Sequence, residues 1–572
     1  MIRKYFDKYK VNLLVCLGIA CFTVLPYFSQ YIYNAHDLQF HLSRIEGVYH
    51  TLLDHQFPMA VYPNKNFGYG YASPLFYSDI FLIIPSLLVH LCHVPLVTMF
   101  EILVFVSVYL AALHMSITLE HILHRKNCAL ISAFVYVTAN YFVTDIFIRA
   151  ALGEIFALGV LPFLLYVIYD LLVLKKDNWL ALAAVFALLV HSHLITAAMA
   201  TVILILSVLI NVKTVIGTPK ILTTLVKAAA LGLGLTAVFF FPMFEQYVSQ
   251  DLIVHHIGSD MLQQYMVPLK DLFGDFFADH SLQWRNSRGV DRADTLKNLG
   301  TLAGILPFGY LFVKKNKYIT QVFAMFVLVL LCSSPVLPIY RIPFISFMQF
   351  PSRLYTPGLV GAALIICWIL TRISKKSAKI LTACILVFTG WNLSYLFSCI
   401  NDPVQLKVID RDATAEELFT ERKYANVIIA ESRWNWEELS FGEYLPYADA
   451  YYYDYYNVGT ELDDLSYGHL GIPYERKGTT LKFTSSFTED TWVLIPMTWY
   501  KGYRIRELDE NGVTVKYPYI SQHTYSGRIQ LKAEAGTHTY VIEYAGTKIQ
   551  KISAAVSVLS LGILVYMLIR RH

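Results

Sequence analysis

Apolar runs of roughly 18–25 residues, the length a helix needs to cross a hydrocarbon core, recur along most of the chain. They fall near residues 11–31, 95–121, 127–145, 155–174, 178–194, 195–212, 221–243, 299–313, 318–338, 356–372, 379–398 and 552–569, and each predicts a membrane span. Short basic clusters separate them: Arg125/Lys126, Lys175/Lys176, Lys213 with Lys220, Lys314/Lys315/Lys317, Arg372/Lys375/Lys376/Lys379 and Arg570/Arg571. With the N-terminus in the cytoplasm, every cluster lands on the cytoplasmic side, where positive charge is retained. Arg3, Lys4, Lys8 and Lys10 precede the first run and no small-x-small cleavage site follows it. The first span is therefore expected to stay uncleaved.

One apolar run stands outside this count. "SPLFYSDIFLIIPSLLVHL", 73–91, holds Asp79 and a mid-run Pro85, and a proline interrupts a straight helix. Counted as a span it would reverse the side of every later basic cluster, although hydropathy alone favours that alternative. It is expected to be a juxtamembrane or re-entrant helix on the outer face. The outer segments are then 32–94, a turn at 145–154, a long loop at 244–298, turns at "HSHL" (191–194) and "YRIPFISFMQFPSR" (340–353), and residues 400–550.

The texture changes after residue 400. "TWVLIPMTWYKGYRIREL", "GVTVKYPYI", "GRIQLKAE" and "HTYVIEYAG" are short runs rich in β-branched and aromatic residues, with turn signals at "DENG" and "AEAG". They predict a small antiparallel β-sandwich before the last span. In "YLPYADAYYYDYYNVG", 444–459, the tyrosines suit either stacking on sugars or packing at lipid headgroups.

Composition agrees with the pattern. The chain of 572 residues is 56% hydrophobic and 15% charged, against about 25% charge in soluble domains. The net charge of +4 gives no footprint for nucleic acid. All eight cysteines lie in or beside apolar runs, which argues against a disulfide framework or a zinc site. The closely spaced glycines of "GLGLTAVFF", 232–240, sit inside a span and read as helix packing, not as a phosphate loop.

Ionisable residues crowd the outer ends of several spans. If a helix begins after Asp37, then Leu42, Ile45, Tyr49 and Leu52 form one apolar stripe, and Asp37, His41 and Arg44 share a neighbouring face. Such a helix would lie on the membrane surface. Asp37 also suits a helix N-cap. "TDIFIRAALGEIF", 144–156, brings Asp145, Arg149 and Glu154 to another span end, with Asp145 and Arg149 at pairing distance. "HSHL" adds His191 and His193, and "FPSR" ends in Arg353. Singly these are interface anchors; together on one face they mark a substrate path. Glu101 and His114 fall inside a predicted span and point instead to a transporter. A non-catalytic envelope protein whose outer domain binds sugars is the third class.

"AHDLQFHLSRIEG", "GYGYASPLFY", "IRAALGEIFALGVLPF", "HSHL", "FMQFPSR" and the tethered outer domain, in that order, resemble the YfhO-like bacterial membrane proteins of the GT-C superfamily. The resemblance implies a glycosyltransferase with a polyprenyl-phosphate-linked sugar donor and a cell-envelope glycopolymer acceptor, working at the extracytoplasmic face of the cell membrane. It places the essential acidic residue of the first outer loop at Asp37 and a second acidic position at Asp145 or Glu154. Here Asp37 follows His36 with no paired Asp-x-Asp, so a divalent cation would be held weakly if at all. Under this reading Asp37 is the catalytic base and Arg353, with Arg44 or Arg149, faces the departing phosphate. His41, Glu154, His191 and His193 hold sugar hydroxyls. The expected fold is a polytopic α-helical membrane protein with a GT-C-like module at 1–399, a β-rich domain at 400–550, and a last span with a basic tail at 551–572.

Overall fold

The long apolar runs become helices because in lipid the backbone must satisfy its own hydrogen bonds. The structure is a computed structural model that describes residues 2–29, 31–33, 35–66, 68–256, 262–263, 265–273, 298–342, 345–400, 408–412, 442–447, 461–464 and 469–570. Among the described residues six helices are long and apolar enough to cross a membrane: Leu96–Leu123, Leu152–Leu172, Pro219–Ser249, Pro351–Arg372, Lys375–Ser394 and Lys548–Arg570. A seventh is Lys126–Val137 with Asn140–Arg149, bent by 45°. The other runs of the twelve form shorter helical segments, among them Trp179–Ser192, Leu194–Ile210 and Lys317–Ser333. The first run is α-helical to Thr23 and then makes a 3-10 turn at Leu25–Tyr27. The 73–91 run is broken: Ser73–Phe76 is one turn, and after Tyr77 and Asp79 a helical segment of Ile80–Cys92 follows. At about 1.5 Å per residue that segment is too short to span. Most of the 244–298 loop and residues 448–460 of the tyrosine-rich stretch lie outside the described residues.

The described chain forms two compact units, and both are discontinuous. The first comprises residues 1–38, 97–232 and 258–413. Its helices pack through small residues: Gly159 faces the Ser107 carbonyl, and Gly358 and Gly361 face Val329 and Val322. Pro162 sits inside the Leu152–Leu172 helix and cannot donate to the carbonyl four residues back. The Tyr136 hydroxyl donates to that Leu158 carbonyl instead, at 2.8 Å. After the first helix, β1 (Tyr31–Tyr33) pairs antiparallel with β2 (Val408–Asp410). Beside them Arg411 meets Glu101 at 2.9 Å. The His114 Nδ1 lies 2.7 Å from the Gly159 carbonyl. Both ionisable residues of the Leu96–Leu123 helix that suggested transport thus have partners within the fold.

The second unit comprises residues 39–96, 233–257 and 414–572. Its centre is an antiparallel sheet of nine strands: β3 (Glu461–Asp464), β4 (His469–Lys477), β5 (Thr480–Phe487), β6 (Thr491–Thr498), β7 (Tyr503–Leu508), β8 (Thr514–Lys516), β9 (Ile520–Gln522), β10 (Arg528–Ala533) and β11 (Gly536–Tyr544). The order is β8-β7-β11-β5-β4-β3-β6-β10-β9. The sequence predicts two stacked sheets; hydrogen bonding instead joins both wings through the β3–β4 pair. The period-2 pattern still builds one core. Leu481 and Phe483 of β5 meet Val493, Ile495 and Met497 of β6 and Ile529 and Leu531 of β10 in a single cluster. Ala60, Val61, Ala72, Leu75 and Phe76 complete that cluster, so the segment after the first helix is part of the β core. A linear division at 399 cuts through this arrangement. Tyr444 stacks on Phe76 at 4.7 Å, which gives this tyrosine a packing role. The Lys548–Arg570 helix packs on the end of Pro219–Ser249, where the Ser557 hydroxyl donates to the Gly234 carbonyl at 2.9 Å.

Candidate functional site

The site in the first unit is built on a break between helices. "TANYFVTDIFIRAALGE" is not one apolar run, because Asn140, Thr144, Asp145, Arg149 and Glu154 interrupt it. Asn140–Thr144 is a short helix and Asp145–Arg149 a π-helical turn, a distortion common at functional sites. The turn ends at Ala150 in the left-handed conformation, with φ of 52°. This geometry turns Asp145 and Arg149 inward just before Glu154 opens the next helix.

Arg149 is the hub. Its Nη1 reaches Asp145 Oδ1 at 2.5 Å, Glu154 Oε2 at 2.9 Å and the Tyr141 hydroxyl at 3.3 Å. Glu154 Oε1 accepts from the hydroxyls of Tyr141 and Thr356, each at 2.7 Å. Arg353 stands in the 3-10 turn Pro351–Leu354 with its Nε 3.9 Å from Glu154 Oε2. Its Nη1 donates to the Met348 carbonyl at 2.9 Å and to Gln349 Oε1 at 2.7 Å. His193 lies between two helices, its Nδ1 2.7 Å from the Thr196 hydroxyl, within electrostatic reach of Glu154, Arg353 and Arg149. All of these charged groups are buried.

Two atoms in this network lack hydrogen-bond partners among the described residues: Asp145 Oδ2 and Arg353 Nε. Buried polar atoms are rarely left so, and such orphans mark catalytic groups or ligand sites.

Asp37 completes the group. Its N–H donates to the Arg149 carbonyl at 2.8 Å and the N–H of His36 to the Ile148 carbonyl at 3.1 Å. Main-chain bonds therefore hold this residue against the π turn. Its half-buried carboxylate accepts no hydrogen bond among the described residues, so it is not an N-cap. Burial raises its pKa above the ordinary carboxylate value and the charge of Glu154 adds to this, while Arg149, His36 and Arg353 pull the other way.

Of the residues singled out in the sequence, Asp37, Asp145, Arg149, Glu154, His193 and Arg353 come together. His191 is buried at the end of the preceding helix. Arg149 and both oxygens of Glu154 are already engaged within the protein, which suits them to positioning more than to contact with substrate. Tyr141, Thr356 and Gln349 escaped the sequence reading. Thr356 carried the one usable signal, three residues after Arg353 on the same helical face.

His41 and Arg44 belong to the second unit. The Leu38–Leu53 helix is buried almost all round over residues 38–48, so it is not a surface helix with one polar side. Arg44 clamps Asp79 through Nε at 2.9 Å and Nη2 at 2.5 Å, and its Nη1 is 3.0 Å from His41 Nδ1. The Tyr62 hydroxyl also donates to Asp79. Asp79, a misfit within an apolar run, is thus the partner that breaks that run. Arg44 and His41 are committed to this clamp.

Two residues after Arg44, Glu46 pairs with Lys65 and His50, each at 2.6 Å. Burial works to raise its carboxyl, but Lys65 and His50 more than offset this and hold it at about 2. A folded pKa below the ordinary 4.5 stabilises the fold above that value and loses the contribution as pH falls toward 2. Thermal unfolding in detergent is expected to show Glu46→Gln melting below wild type at pH 7, with the gap closing between about 4.5 and 2. A gap independent of pH would assign the loss to packing.

Among the described residues no group of three His, Cys, Asp or Glu side chains converges as a metal site. The helices and this ionic cluster define a multi-pass membrane protein with buried charges gathered at helix ends. Residues 76–400, more than half of the chain, match the family described as "6-pyruvoyl-tetrahydropterin synthase related domain; membrane protein", and the chain belongs to that family. No curated protein matches it.

Proposed function

We propose that the protein is a GT-C-type membrane glycosyltransferase that moves a sugar from a polyprenyl-phosphate donor to an acceptor in the cell envelope. The single observation that carries this reading is the Asp37 carboxylate, which accepts no hydrogen bond among the described residues, has a raised pKa and is fixed by its backbone beside the buried guanidinium of Arg149. The ordered resemblance to YfhO-like proteins supports it, as does the way the basic clusters sort to one side of the membrane. On that topology the N-terminus is cytoplasmic, the chain crosses about twelve times and the β-rich domain lies outside.

The chemistry follows from an oxocarbenium-like transition state. Asp37 takes the proton of the acceptor hydroxyl as its oxygen bonds to the anomeric carbon. The bond from that carbon to the phosphate oxygen breaks, and the polyprenyl phosphate leaves with the electron pair. The Nε of Arg353, which makes no hydrogen bond among the described residues, faces that growing charge, a task guanidinium suits. His191 and His193 offer polar contacts to the sugar. Asp145, Arg149, Glu154, Tyr141 and Thr356 hold the floor rigid.

The test is a strain lacking the gene. Mass spectrometry of its envelope polymers and its polyprenyl-phosphate pool is expected to show one sugar lost from a polymer while its lipid-linked form persists. Polymers and lipid pool identical to those of the parent would overturn the proposal.

A further inference from the structure

The second unit contains a cleft of about 430 Å³ whose lining includes His50, Asp54, Asn64, Gly68, Arg476 and Lys477. Small-ligand sites are commonly roughly 300–1,000 Å³. The cleft lies between the segment after the first helix and the β4–β5 turn, both parts of one compact unit. Glycine backbone frames it. Gly68 and Gly478 have φ of 87° and 58°, and a Cβ on Gly478 would collide with the Asp54 carboxylate.

Charge decides what such a cleft can hold. Arg476 donates to four backbone carbonyls: Gly68, Pro63 at 3.0 Å, Gly478 at 3.1 Å and Pro496 at 3.2 Å. None of these acceptors is ionised, so no carboxylate in contact neutralises the guanidinium. Lys477 is exposed and makes no ion pair among the described residues. Of the nearby anions Asp54 keeps its charge, because the groups it accepts from are neutral, and Arg476 with Lys477 outweighs it. Asp54 accepts from the Thr479 N–H at 2.9 Å, the Thr479 hydroxyl at 2.7 Å and Gln56 at 2.8 Å. Glu46 is paired with Lys65 and His50. Burial lowers the pKa of Arg476, opposed by Tyr503, Tyr474 and Asp54, and a bound anion would offset that penalty.

We propose that this cleft binds a phosphate ester carried on a small polar group the size of a sugar or a glycerol. Lys477 offers its ammonium to a phosphate, and Arg476, with four of its five N–H groups given to carbonyls, adds its positive charge and the one N–H that remains. His50 and Asn64 add polar side chains to the lining that suit hydroxyls. The inference does not depend on the transfer reaction. The same chemistry is offered by a phospholipid headgroup and by a free sugar or glycerol phosphate.

Native mass spectrometry of the full-length protein in detergent separates these sources. The probes are phosphatidylglycerol, diacylglycerol as its phosphate-free counterpart, and glycerol 1-phosphate. A phosphate-bearing probe is expected to bind, with affinity reduced about tenfold in Lys477→Gln, as for a lost charged hydrogen bond. Leu53→Trp adds bulk at the cleft from an exposed position and is expected to block binding while leaving the fold intact. Retention of phosphatidylglycerol alone identifies a lipid headgroup, and retention of glycerol 1-phosphate identifies a soluble ester. Failure of both phosphate probes to bind, or equal binding by wild type and both variants, overturns the proposal.

Discussion

Asp37→Asn is expected to reach the membrane at normal levels and to lose transfer by about 10²–10⁴-fold, the usual contribution of a positioned general base. The substitution keeps size and shape while it removes the negative charge and the proton-accepting oxygen. No hydrogen bond to the side chain is broken, since the carboxylate accepts none among the described residues. The main-chain bonds to Ile148 and Arg149 are unaffected by it. The pH profile adds a second readout. Burial raises the Asp37 pKa, so wild-type activity should fall on acidification at a higher pH than an ordinary carboxylate would give. That limb should vanish in the residual activity of Asp37→Asn. A variant with wild-type turnover and an unchanged acid limb would remove Asp37 from the chemistry.

Arg149→Met is expected to fail differently. It would leave Asp145 and Glu154, both buried, without the cation that joins them at 2.5 and 2.9 Å. Removing one member of a buried ion pair costs about 3–5 kcal/mol, because the remaining charge stays out of water. The loss should appear as a lowered melting temperature in detergent and a reduced level in the membrane, before any effect on rate can be read. Arg149→Met with Asp145→Asn and Glu154→Gln removes all three charges and should recover part of the stability. A single variant that melts with wild type would show that the network is solvated and not structural.

The parts of this site that could be read from the sequence are those fixed by local spacing. Asp145 and Arg149 are four apart, and a helical or π-helical turn brings them together in either case. Glu154 follows at the start of the next helix. What could not be read depends on distant segments. Thr356 donates to Glu154 across 202 positions of sequence, and nothing local marks that pair. Asp79 looked like a break in an apolar run, and only the fold shows that it serves Arg44. The span pattern was legible as helices, but turns and prolines cut several runs shorter than hydropathy suggests. The β strands from Thr491 onward were legible by alternation and their turns, whereas β3, β4 and β5 were not. Nor was the single hydrogen-bonded sheet, because β3–β4 pairing is a tertiary choice. Least visible was the union of residues 60–76 with the strands, since apolar residues carry no label for their partners.

That union sets an order of assembly. Ala60, Val61, Leu75 and Phe76 leave the ribosome early, yet the strands that bury them, from Leu481 to Ile542, come near the end of the chain. At about 5–20 residues per second, the early segment waits on the order of tens of seconds for its core. A chain stopped after the helix Lys375–Ile400 would hold every residue of the Asp37–Arg149–Arg353 cluster but would leave those side chains uncovered. Synthesis of the last strands thus closes the fold around a segment made near its beginning.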